Sequence, residues 1–482
     1  MLDPARYIAA VAVHVREVRP RASAGRRIQV VEGKGFEQAK MTRRTLLSHG
    51  ARVGAGAAAA ATTAGLPAWA RVPLAELAAV RRPDSRPFPH LPAGQESLHQ
   101  IRHVVVLMLE NHSFDNVLGR VRRADGLTLR AGRVTNWNPD ARGRRVFASH
   151  SPTPCQPHAL PRQDWDASHT SWNRGHLDGF VRASGPQAMR YWDERDLPLT
   201  YSLAEHFPIG QRYFSSVLAQ TYPNRRFFFT GTASGTIATD NTTFHTPAAN
   251  GTIWDRLDAH HIDWAVYYQD APSPVIVPGT FTTARQHRFR KYAGFAADVH
   301  AGRLPQFTFL EPNYSVSSEE NPQDIQYGER FLADAVHALM HGPAWKSTAL
   351  FITYDEHGGY YDHVPPPRAL APDSIRPHTA PGDAPGGYDR LGFRVPLIVV
   401  SPWARANYVS DVVQDHTSLA AFIERKWNLP AMTFRDANAA PMTDYFDFRR
   451  AAFARPPRLA GAPAIGPGLA RCEAAGLTPP HF

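Results

Sequence analysis

The stretch His103-Val-Val-Val-Leu-Met-Leu109, followed at once by Glu110-Asn111, decides the fold. Six apolar residues in a row after His103 mark a strand buried on both faces, as in the middle of a parallel sheet. Outward from it, Asp263–Tyr268, Phe307–Leu310, Thr348–Tyr354 and Val395–Val400 read as further strands. Thr252–Ile262 and Glu329–His341 read as helices; in the second, Phe331, Leu332, Ala335, Val336, Leu339 and Met340 share one face and Gly342-Pro343 ends it. Asp415–Trp427 is another, with Asp415 or Thr417 as its N-cap. Strands alternating with helices predict an α/β fold with a mostly parallel sheet covered on both faces.

In such sheets ligands bind beyond the carboxyl ends of the strands. The residues just past three strands are Glu110-Asn111, Glu311-Pro-Asn-Tyr314 and Asp355-Glu356-His357. The neighbouring carboxylates of Asp355 and Glu356 repel unless a cation or proton lies between them. Glu110 and the Asn111 amide oxygen complete an oxygen-rich set suited to a divalent metal ion, whose identity oxygen ligands alone do not fix. Singly, each acid is explained as well by capping a helix; three strand ends at once favour metal.

Gln220-Thr221-Tyr-Pro-Asn-Arg225 precedes the aromatic run Phe227–Phe229 and Gly231. It reads as a short helix with Thr221 as N-cap. A helix N-terminus suits a phosphate, and a metal beside the hydroxyl would make Thr221 a nucleophile. Arg225, one turn on, suits either phosphate oxygens or a structural salt bridge. Of 23 histidines, His169, His357, His363 and His416 sit in contexts that fit a site.

A hydrophobic fraction of 43% with 20% charged residues excludes disorder throughout. The net charge is +10, yet residues 1–70 hold eleven Lys/Arg against four acids, so +7 lies there and +3 in the remainder. Basicity therefore gives no reason to expect nucleic acid. Two cysteines, Cys155 and Cys472, exclude a zinc-thiolate site; in an exported protein they could pair once.

Met41-Thr-Arg-Arg-Thr-Leu-Leu47, an alanine-rich run and Pro67-Ala-Trp-Ala70 resemble a twin-arginine signal with its cleavage site. Residues 1–40 then form an extension, with Met41 the expected start. Residues 71–99 read as a Pro-rich linker, 100–450 as the catalytic body and 451–482 as a Pro/Ala-rich tail. No stretch reaches the ~18–20 apolar residues of a membrane span. The expectation is export through the Tat machinery to the periplasm, cell surface or medium.

Five segments together resemble the bacterial phosphoesterase family of phospholipases C and acid phosphatases, within the alkaline-phosphatase-like superfamily. They are Ile101–Gly119, Gly175–Val181, Thr221–Gly231, Thr353–Pro367 and Asp415–Pro430, in the family's order. The resemblance implies a three-layer α/β/α sandwich and a covalent phospho-enzyme. Its metal ligands fall on Glu110, Asn111, Asp355 and Glu356, with the nucleophile Thr221 also on the metal; its phosphate-contacting histidine falls on His169. His357 or His363 is then expected to protonate the leaving alcohol. This chain departs from the family at His112, where arginine is usual, and at Asn321 before Pro322, where histidine is usual. The segment Phe207–Tyr213 also lacks an aspartate often found there. The implied activity is phospholipase C cleavage of a headgroup phosphodiester such as that of phosphatidylcholine, at a lipid surface. The alternatives are an acid phosphatase on monoesters and a catalytically inactive, metal-stabilised binding protein.

Overall fold

The computed structural model describes residues 80–156, 161–464 and 472. The extension and the twin-arginine leader lie outside the described residues. Eight strands form the central sheet: β1 (His103–Leu109), β2 (Ile209–Gly210), β3 (Trp264–Tyr268), β4 (Phe289–Lys291), β5 (Phe307–Glu311), β6 (Thr348–Tyr354), β7 (Leu397–Val400) and β8 (Val409–Ser410). Their order is β4-β3-β5-β1-β6-β7-β2-β8. The first five in that order run parallel; β7 is antiparallel to both its neighbours. The six apolar residues of β1 are wholly buried, as a central strand covered on both faces requires.

Helix α2 (Thr221–Thr230) lies beside α4 (His416–Trp427). Phe228 and Phe229 of α2 pack on Phe309 of β5, with Trp254 against the same strand. Burying each such ring is worth on the order of 2–3 kcal/mol. A separate group holds α3 (Ile325–His341) with the helices Phe295–His300 and Pro198–His206. Helices on both faces of a mostly parallel sheet make the three-layer α/β/α sandwich that was expected.

The sequence boundaries shift in instructive ways. Helix α3 begins at Ile325, a turn earlier than its apolar face, because Asp324 caps it by accepting from the Gln326 N–H. Asp415 caps α4, its side chain accepting from the Thr417 N–H while its own N–H donates to Ser418 Oγ. Residues 80–99 are bonded to the end of α4, Phe88 and Asn428 exchanging backbone and amide hydrogen bonds. In the tail, Phe453 is buried and Cys472 is disulfide-bonded to Cys155, 317 residues away.

Candidate active site

Strand register builds the site. Leu109 and Tyr354 are partners across β1 and β6, so the next residues, Glu110 and Asp355, leave the sheet side by side. Glu311 ends β5 on the other flank of β1. Asn111 turns the chain at φ +68°, a conformation asparagine tolerates better than most residues. Gly358, at φ +63°, lies so close that a Cβ would overlap the Asn111 carbonyl. Only glycine lets the 355–359 loop close on β1 there.

Thr221 is the first residue of α2; Gln220 is the N-cap, without a side-chain cap bond. The expected capping role for Thr221 is therefore corrected. Its hydroxyl instead donates to Asn111 Oδ1 at 3.2 Å. The Tyr222 N–H goes to Thr239 Oγ1 and Pro223 has none, so the helix offers an anion mainly its dipole.

Arg225 is wholly buried and faces acids. Its Nε donates to Asp355 Oδ2 at 2.8 Å and its Nη1 to Glu311 Oε1 at 3.1 Å and Tyr314 Oη at 2.8 Å. Nη2 lies 3.7 Å from Glu110 Oε1. Of the two readings of Arg225, this geometry is the salt bridge. Asp355 Oδ1 accepts the N–H groups of Glu356 at 2.8 Å and Asn111 at 3.4 Å, which ties the two segments together.

The carboxylates outnumber this one cation. Burial pushes Glu110 well above the usual carboxylate range, and Glu320 adds to it. Burial and then Asp355 do the same to Glu356. Glu110 Oε2 and Glu356 Oε1 are buried without a hydrogen-bond partner. Crowded acids with unmatched oxygens fit a divalent cation, which would relieve both the repulsion and the desolvation. Among the described residues, tighter groups with ligand atoms within 4.8 Å are Asp115–Asp362–His363, His150–Asp193–Asp196, and Asp324 beside the disulfide.

The histidines divide sharply. His357 Nδ1 lies 3.0 Å from Glu356 Oε2, its Nε2 has no partner, and burial holds its pKa down to about 3. His363 has both nitrogens engaged, Nδ1 with Asp115 at 2.6 Å and Nε2 with Asp125 at 3.2 Å. Burial opposes its charge, but the Asp115 carboxylate lifts its pKa to about 10. Arg394, fully buried, bonds Asp362 at 2.8 Å and Asp115 at 3.0 Å in the same cluster. His363 is thus a fixed cation joining the Asp115 and Asp362 segments. His169, on α1 (Trp165–Trp172), is half-buried, with Nδ1 on the Trp165 carbonyl at 2.8 Å and Gly386 packed over its ring. His416 joins the Tyr213 hydroxyl to the Asp355 carbonyl, at 2.9 and 2.6 Å. His112 is a neutral core residue, lowered to about 4 by burial, with Trp192, Tyr354 and Tyr360 around its ring.

Glu320 was not anticipated. It follows no strand, yet it interacts with Glu110, Asp355 and Gln163, and burial lifts its pKa to about 7. A signal existed in Glu319-Glu320-Asn321, two adjacent acids in an otherwise polar loop. Asn321 itself accepts from the Tyr360 hydroxyl at 2.9 Å.

The sequence is that of a hydrolase acting on phosphoric ester bonds. Residues 101–430 match the Phosphoesterase family, and the chain belongs to it. It is 29% identical over 384 residues to non-specific phospholipase C1 of Arabidopsis thaliana, covering 72% of this chain and 71% of that one. It is 31% identical over 408 residues to phospholipase C A of Mycobacterium tuberculosis, covering 73% and 78%. Against non-hemolytic phospholipase C of Pseudomonas aeruginosa the identity is 29% over 412 residues, covering 73% and 58%. A solved structure of an alkaline phosphatase superfamily protein from Vibrio parahaemolyticus matches at a TM-score of 0.35 and 10% identity, over 72% and 71%.

Proposed function

We propose that this chain is an exported, metal-dependent phospholipase C that cleaves the headgroup phosphodiester of phospholipids such as phosphatidylcholine. The observation that carries the reading is the Thr221 hydroxyl, freed from capping and held on Asn111 beside the crowded acids. The phospholipase C names of its relatives support the choice of a lipid diester. Glu110, Asn111, Thr221, Asp355 and Glu356 would hold the divalent ion, which supplies charge neutralisation and lowers the hydroxyl's pKa.

Thr221 Oγ attacks phosphorus, forming an Oγ–P bond as the bond to the diacylglycerol oxygen breaks. Water then cleaves the Oγ–P bond and releases the phosphorylated headgroup. His169 and the α2 dipole would stabilise the charge on the phosphoryl oxygens. Of the two candidate donors of the leaving-group proton, His363 has both nitrogens engaged, whereas His357 has Nε2 unpartnered but is held neutral by burial, so His357 would have to take up a proton when substrate binds. Arg225 acts indirectly, by positioning Asp355. Among the described residues no helix is long and apolar enough to cross a membrane. Export by the twin-arginine route rests on Arg43-Arg44 and the alanine-rich run behind them.

The test is release from a soluble choline phosphodiester compared with release from p-nitrophenyl phosphate, each with and without a chelator. The proposal expects faster, chelator-sensitive diester cleavage. Faster monoester cleavage would make the protein a phosphatase, and no turnover of either would leave only a binding role.

A further inference from the structure

The described residues expose seven large hydrophobic side chains, and three lie within one short arm: Leu129, Trp137 and Phe147, at 45%, 40% and 50% exposure. The arm consists of two small antiparallel hairpins. Leu129–Arg130 pairs with Arg133–Val134, and Trp137–Pro139 with Arg145–Phe147. Trp137 and Phe147 are direct cross-strand partners, so both rings stand on one face. Exposed hydrophobic clusters of this kind mark an interaction site.

The arm is also basic. Residues 129–147 contain five arginines and one acid, Asp140. That local excess of +4 exceeds the +3 carried by all of residues 71–482. Asp140 folds back on its own loop, accepting from the Arg142 and Arg144 N–H groups and from Arg144 Nε at 2.7 Å. Arg130, Arg133 and Arg142 are exposed, and the Arg145 guanidinium lies 4.6 Å over the Trp137 ring.

A two-stranded hairpin is marginal alone, and this arm is anchored to segments that carry the site. Val134 and Val146 pack on Leu127, Val181 and Met189, together with Tyr361 from the loop that begins at Asp355. Asn138 bonds the Leu177 carbonyl at 2.7 Å and the Val181 N–H at 3.2 Å, just after the helix bearing His169. Aromatic side chains amid arginines are the chemistry of an interfacial anchor: rings enter the acyl boundary while guanidinium groups meet lipid phosphates.

We infer that residues 129–147 form a docking arm for an anionic lipid surface, which brings the active site to its substrate. The inference rests on the phospholipase reading for the choice of lipid over a protein partner.

Co-sedimentation of the full exported chain with vesicles of equal parts phosphatidylglycerol and phosphatidylcholine tests it, with hydrolysis of a soluble choline phosphodiester measured in parallel. Wild type is expected to bind these vesicles more tightly than pure phosphatidylcholine, and binding is expected to weaken with salt. Trp137→Glu with Phe147→Glu, and separately Arg130→Glu with Arg133→Glu and Arg142→Glu, should each weaken binding by at least about tenfold. Both should leave soluble-diester turnover unchanged, while Trp137→Phe with Phe147→Trp keeps binding and shows that the arm still folds. Vesicle binding unchanged in both charge-reversal variants, no preference of wild type for anionic vesicles, or binding through the arm to a protein instead would overturn the inference. Absence of soluble-diester turnover with intact vesicle binding would count against the phospholipase reading alone.

Discussion

Arg225 Nε lies 2.8 Å from Asp355 Oδ2, with both side chains wholly buried. Among the described residues, the guanidinium is the one cation that holds Asp355, Glu311 and Glu110 together. Removing one partner of a buried pair leaves an uncompensated charge, costing about 3–5 kcal/mol. Arg225→Met is therefore expected to lower denaturant stability by that amount and to abolish activity. The exposed pair Arg162–Asp164 is the control: Arg162→Ala should cost less than about 1 kcal/mol. Equal costs for the two would show that Arg225 does not organise the acids.

The His363–Asp115 pair gives a pH signature. The imidazole's pKa rises to about 10 in the fold, above the ordinary value of about 6.5. Its stabilisation is fully present below about pH 6.5 and lost as pH rises through about 10. His363→Gln should lose about 3 kcal/mol at neutral pH and flatten the alkaline decline of the unfolding free energy. A variant with the wild-type alkaline profile would place that decline elsewhere.

Ion binding has its own readout. A divalent ion at a hundred times its Kd should raise unfolding stability by about 2.7 kcal/mol. Glu110→Gln with Glu356→Gln should remove that gain without unfolding the protein, since both substitutions relieve acids that burial already disfavours. Thermal unfolding with and without the ion measures it. An ion effect that survives the double substitution would move the site away from these residues.

Much of this arrangement was legible in the sequence because parallel strands buried on both faces read as unbroken apolar runs. His103–Leu109 and Thr348–Tyr354 were bounded to the residue, and Glu110 and Asp355 followed. The limits lie where side-chain placement depends on distant chain. Nothing local to Thr221 shows that Gln220, not it, is the cap. Nothing local to His363 shows that Asp115 and Asp125 occupy both its nitrogens. Arg225 sat in a motif compatible with phosphate, and only the packing of three strand ends around it turned it toward acids. Glu320 reaches the site from a loop, where no periodicity reports direction.

Thr221, its hydroxyl 3.2 Å from Asn111 Oδ1, is the proposed nucleophile. Its most direct test is acid quenching during turnover of a radiolabelled choline phosphodiester, followed by mapping of the labelled peptide. The prediction is label on Thr221, with turnover lowered by at least about a thousandfold in Thr221→Ala and partly kept in Thr221→Ser. Full activity in Thr221→Ala, or label on any other residue, would contradict it.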